Sequence, residues 1–237
     1  MPHFLPCNRH SIQRFINSIR LKSDWLYYLN LTVILLSLVC CSYRYRKLDP
    51  AAKVFAVLVC VSVIGEFLAF FFAKKYHNNL PVYAIYNIIE FCFICLYFNT
   101  SIDVFAKNNT GYYIGGIGII WGIANIIFLQ GFNKVNSYFL LFEGLSTIGI
   151  CLFAYFRLLF HHDQLRLYKY PHFWFTTILM IFWSIIFLNW SLYNYVSIRY
   201  KEASWIVNVS ILFVNILNYL SISCVFILYP KMQQSDE

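Results

Sequence analysis

Seven apolar stretches, at about 25–42, 52–73, 81–98, 112–130, 136–157, 173–197 and 204–229, constrain this chain more than any motif it contains. Each matches the roughly 17–25 residues that a helix needs to cross the hydrocarbon core of a bilayer. Punctuation of basic, Pro or Asn-rich character separates them, as in YRYRKLDP, AKKYHNNLP, QGFNKVN and SIRYKEAS. Tyr and Trp gather near the ends, at Trp25, Tyr28, Tyr112, Tyr113, Trp174 and Tyr229, in the manner of an interfacial aromatic belt. The fold class predicted is all-α: a polytopic membrane protein, a seven-transmembrane-helix bundle with a short amphipathic N-terminal helix.

Composition excludes the alternatives. Hydrophobic residues make up 60% of the chain and charged residues 12%, and the mean hydropathy is +0.62. A soluble domain carries about a quarter charged residues, so folding in water would strand much of this apolar surface. The net charge of +8 is spread over termini and loops. No dense basic run falls on a solvated element, so nucleic acid is not an expected partner and the lipid bilayer is.

The chain divides into a basic arm (1–24), a seven-helix transmembrane domain (25–230) and a short polar tail (231–237). In the arm Ile12, Phe15, Ile16 and Ile19 share a helical face, the pattern of a helix lying at the interface. A cleaved signal peptide is the alternative; the long apolar core and the YRYRK that follows it argue against cleavage. Lys and Arg divide evenly between the two sides, so the positive-inside rule gives no orientation. The localisation expected is a multi-pass protein of the cell or inner membrane.

Polar residues inside the spans are the functional signal. Hydrocarbon disfavours an ionised side chain, so an intramembrane acid is by default a functional-site hypothesis. Glu66 lies in the second span. Tyr83, Tyr86, Asn87 and Glu90 fall at i, i+3, i+4 and i+7 of the third, on one face. Counting about 1.5 Å per residue from the helix ends on the N-terminal side puts Glu66 roughly 10 Å deep, Glu90 about 13 Å and Glu143 about 10 Å. Asn194, Asn208 and Asn215 fall in the same half of the bilayer. These nine residues are the predicted pocket, with Lys74, Lys75 and Arg199 as its rim and the opposite half packed by Leu, Ile, Val and Phe. The competing reading is that the Glu and Asn side chains bond helix to helix as structural glue.

Two further patterns bear on architecture. Gly111, Gly115, Gly118 and Gly122 form a GxxxG stripe suited to close helix contact inside the bundle. Shifting the sequence by 128 lays Glu66 over Asn194, Asn87 over Asn215 and Glu90 over Asn218, and shifting by 53 lays Glu90 over Glu143. Chance alignment of polar residues competes with a repeat of related hairpins.

Catalytic signals are thin. Seven of eight cysteines lie in apolar segments, where thiols serve as small apolar residues, and the Cys92–Cys95 pair lacks partners to complete a zinc site. His161, His162 and Asp163 form a loop cluster on the side away from the acids. No catalytic residue, metal ligand or cofactor is assigned. The reading preferred from sequence is a sensor- or receptor-like heptahelical module. It would bind a small-molecule or lipid ligand in the Glu/Asn/Tyr pocket and act through a separate protein partner. The alternatives are a proton- or cation-coupled transporter using its buried Glu residues, an intramembrane lipid-modifying enzyme, and a scaffold subunit.

Overall fold

The computed structural model describes the backbone of residues 9–161, 167–199 and 204–233, and among them all regular structure is helical. Helix α1 (Arg9–Arg44) is followed by a 3-10 turn at Tyr45–Lys47, and then by α2 (Pro50–Tyr76), α3 (Leu80–Ser101) and the short α4 (Asp103–Asn108). Helix α5 (Thr110–Ala124) ends in a π-helical turn at Asn125–Gln130, and α6 (Ser137–His161), α7 (Pro171–Arg199) and α8 (Ser204–Gln233) complete the order. Seven of these segments are long and apolar enough to cross a membrane, from Trp25–Lys47 to Val207–Pro230. The chain is a multi-pass integral membrane protein with a seven-helix bundle. α1 runs without a break from the N-terminal arm into the first span; the side chains of residues 9–24, which would carry the arm's amphipathic face, lie outside the described residues.

Local chemistry sets the helix ends. Asp49 caps α2, its Oδ1 accepting from the Ala52 N–H at 2.7 Å, and Pro50 follows at the first helical position. α2 stops where His77 adopts the left-handed conformation at φ 54. The Asn78 side chain then accepts from the Leu80 N–H at 3.0 Å and starts α3. Asn109, also left-handed at φ 52, separates α4 from α5.

Six helices close a ring in the order α1, α2, α3, α6, α7, α8, with α8 returning to α1. α5 stands outside it, packed along α3 with a minor contact to α6. Between apolar helices in lipid, association depends on close packing rather than on the hydrophobic effect, and α5 achieves it with glycine. Gly111, Gly115, Gly118 and Gly122 are its buried residues. A Cβ at Gly111 would lie 2.5 Å from the Cys95 carbonyl oxygen, and one at Gly122 would lie 2.6 Å from Ile88. The opposite face of α5, including Tyr113, Ile117 and Ile120, is exposed to the lipid side.

The core of the ring is unevenly placed. Phe55, Tyr97, Phe98, Phe175, Phe226 and Tyr229 are all nearly or completely buried, and all lie in the half of the bundle next to loops 1, 3 and 5. Phe55 stacks on Phe175 at 4.5 Å between ring centroids and meets Tyr97 edge-on at 5.1 Å; Phe175 meets Phe226 at 5.2 Å. The half next to loops 2, 4 and 6 holds a cavity instead.

Candidate ligand-binding cavity

The cavity measures about 520 Å³. Its upper wall includes Tyr27, Asn79, Asn136, Tyr193 and Asn208, all toward the side of loops 2, 4 and 6. Its floor is formed by Glu90, Trp183 and Tyr219. From Leu80 to Glu90 along α3 the depth is about 15 Å, half the hydrocarbon thickness.

The helical repeat of α3 delivers most of the polar wall. Tyr83, Tyr86, Asn87 and Glu90 all line the cavity, and Glu66 faces them from α2. Tyr83 Oη donates to Glu66 Oε2 at 3.2 Å, so the two walls are tied across the hairpin. Tyr86 is fixed differently. Ser62 Oγ donates to the Leu58 carbonyl at 3.0 Å, which leaves the Tyr86 hydroxyl to donate to Ser62 Oγ at 2.9 Å. Gly65 makes room for this ring, since a Cβ there would stand 2.6 Å from it. Across the cavity Asn208, Ile211, Leu212, Asn215 and Tyr219 make the matching stripe of α8. Phe182, Trp183, Ile186, Trp190 and Tyr193 make that of α7.

Seven of the nine residues singled out from the sequence thus border one space: Glu66, Tyr83, Tyr86, Asn87, Glu90, Asn208 and Asn215. Glu143 does not. It is 0% exposed, enclosed by packed side chains and not part of the cavity wall, and neither carboxyl oxygen has a hydrogen-bond partner. Depth along a helix gives height but not the direction a side chain faces, and on α6 it is Leu140, not Glu143, that reaches the cavity. The side chains of Asn194 and Arg199 lie outside the described residues. Lys74 and Lys75 are exposed and do not border the cavity: the Lys74 ammonium sits 4.3 Å from the Phe70 ring centroid and that of Lys75 5.5 Å from Phe71. Sequence reasoning missed Trp183, Trp190, Tyr193 and Tyr219. Their signal was present as the i, i+4 spacing of Asn215 and Tyr219 and of Ile186 and Trp190, but aromatic residues in a membrane chain read first as belt or core.

A second polar cluster lies at the closed end. His172 Nε2 is 2.6 Å from Asp49 Oδ2, and His172 Nδ1 is 3.2 Å from Tyr97 Oη. An ionised carboxylate only accepts, so Nε2 carries the proton toward Asp49. Burial pushes the Asp49 carboxyl up, but the hydrogen bond and charge of His172, together with the Ala52 N–H, outweigh it and hold the group at about 2. The pair joins the first turns of α2 and α7, residues 123 positions apart, a separation that leaves no local signal in the sequence. Among the described residues no group of three or more His, Cys, Asp or Glu side chains is placed to hold a metal ion. The His161–Asp163 loop cluster lies outside the described side chains.

Asn125 belongs to neither site. It donates to Gln130 Oε1 at 3.0 Å and to Asn136 Oδ1, fastening the π-helical turn of α5 to the start of α6.

No protein-family model matches the chain, and neither does any curated protein or solved structure.

Proposed function

We propose that this membrane protein is a binding module for a small organic molecule that enters from the side of loops 2, 4 and 6. The observation that carries this reading is the one-sided cavity of about 520 Å³, within the roughly 300–1,000 Å³ range of small-ligand sites. Its walls combine apolar and aromatic surface with a few convergent polar groups, the usual make-up of such a site.

The lining also selects by charge. Glu66 and Glu90 border the cavity, and among the described lining residues there is no Lys, Arg or His. The faces of Trp190, Tyr193 and Tyr219 attract cations through their ring quadrupoles. A ligand with an ammonium group on an apolar body fits these walls, and an anion would meet two carboxyl groups and no cationic side chain.

Three probes of one shape and different charge test the reading: phenethylamine, 2-phenylethanol and 3-phenylpropionate, added to purified protein in lipid nanodiscs while thermal unfolding is followed. Phenethylamine should raise the unfolding temperature most, and the cavity-filling changes Ala84→Phe and Leu212→Trp should abolish the effect. Stabilisation by the carboxylate alone would reject the charge class and keep the binding reading. If none of the three stabilises the protein, or the filled variants respond as the wild type does, the binding reading itself fails.

A further inference from the structure

The ring is built twice over. α1, α2 and α3 follow one another round it, and then α6, α7 and α8 do so in the same order and the same direction across the membrane. Residue positions agree with this division. A shift of 128 takes Leu80, Tyr83, Ala84 and Asn87 of α3 to Asn208, Ile211, Leu212 and Asn215 of α8, and all eight border the cavity. The same shift takes Glu90 to Asn218, and both border a smaller space of about 20 Å³ directly beneath the floor. It takes Ile94 to Ile222 and Phe98 to Phe226, identical and fully buried pairs in the closed half. From α2 to α7 a shift of 121 takes Pro50 to Pro171, the first residue of each helix, and Leu58, Ser62 and Gly65 to Leu179, Trp183 and Ile186, again all buried.

A smaller shift, 113, relates α1 to α6. Tyr27 falls on Leu140, both bordering the cavity. Asn30 falls on Glu143, each buried with its side-chain polar atoms unpartnered. Ser37 and Cys41 fall on Ile150 and Ala154, buried in both helices. The 53-residue shift has no such support, since Glu90 borders the cavity and Glu143 does not.

We infer that the protein is a carrier made of two equivalent three-helix units, whose substrate site is the cavity between them and whose closed half is a gate. The inference rests on the binding reading and goes beyond it. Two units with matched faces can tilt against each other about a central site, exposing it first to one side and then to the other, as repeat-built carriers do. The gate has the composition this requires. Phe55 and Tyr97 come from the first unit and Phe175 and Phe226 from the second, so their ring contacts lie between bodies that would part. The Asp49–His172 pair crosses the same boundary at its outer edge and acts as a latch. Below the floor, Glu90 and Asn218 border the small space toward the gate, which has room for about one water molecule.

Spin labels carried by unnatural amino acids at Lys47 and Lys169, at the closed end of each unit, report the opening directly. In lipid nanodiscs the distance distribution should hold a short and a longer population. Asp49→Asn should raise the ratio of longer to shorter by about fivefold or more, the effect of removing one charged hydrogen bond. Proteoliposomes should accumulate phenethylamine saturably, and Ala84→Phe should stop it. A single short distance in both wild type and Asp49→Asn overturns the carrier. So does phenethylamine that stabilises the protein but is not moved across the bilayer, an outcome that leaves the binding reading standing.

Discussion

Asp49 and His172 lie in contact at 2.6 Å and hold the first turns of α2 and α7 together. The Asp49 carboxyl is held at about 2, below the ordinary value of about 3.9. A depressed carboxyl contributes stability that is fully present above its unfolded value and is lost as pH falls through the folded one. Asp49→Asn should therefore lower thermal stability at pH 6 by about 1–3 kcal/mol. The gap between variant and wild type should close as pH drops from about 4 toward 2. Unfolding curves at four or five pH values check this; a gap that stays constant with pH would remove the carboxylate from the account.

The glycine stripe of α5 makes a second, sharper prediction. Gly118→Val drives a side chain into Phe91 and Gly122→Val into Ile88, so each should cost about 1–3 kcal/mol or prevent insertion of α5. A methyl group at Gly116 would meet nothing within 4 Å, and Gly116→Ala should leave the unfolding temperature unchanged or raise it. Comparing the three variants in one lipid separates close approach from a general effect of glycine on helix stability.

Glu143 and Glu90 should behave oppositely. The Glu143 carboxyl is buried without partners, and replacing such a group by an apolar one of similar size is often neutral or stabilising. Glu143→Met should keep or raise the unfolding temperature and leave phenethylamine binding intact. Glu90→Gln should weaken that binding by about tenfold. Equal losses of binding in both variants would return Glu143 to the site.

Tyr83 tests how the wall is held. Tyr83→Phe deletes the 3.2 Å bond to Glu66 while keeping the ring, and should cost about 0.5–1.5 kcal/mol. Affinity for phenethylamine should change less than in Glu66→Gln, because the carboxyl group remains. Parallel titrations of the two variants decide it.

Much of this architecture was legible because a membrane helix writes its length in its composition. The expected third span, 81–98, lies within the observed Leu80–Ser101, and the sixth, 173–197, within α7. The face of Tyr83, Tyr86, Asn87 and Glu90 was legible too, since helical spacing alone decides which side chains share a side. What could not be read is how each helix is rotated in the bundle. That rotation leaves Glu143 off the cavity wall while Tyr219 borders it, and it is set by contacts between distant residues. The Asp49–His172 pair shows the same limit, since its partners stand 123 positions apart. The shift of 128 was visible as three polar coincidences; burial of the apolar positions between them gives it weight.

The place of α5 outside the ring answers a question of parity. A unit of three crossings begins on one side of the membrane and ends on the other. A second such unit can point the same way only if the chain crosses once more before it begins. α5 supplies that crossing, and nothing in this role asks it to border the cavity. A helix whose task is to return the chain needs only a smooth face to lean on, and its buried residues are four glycines.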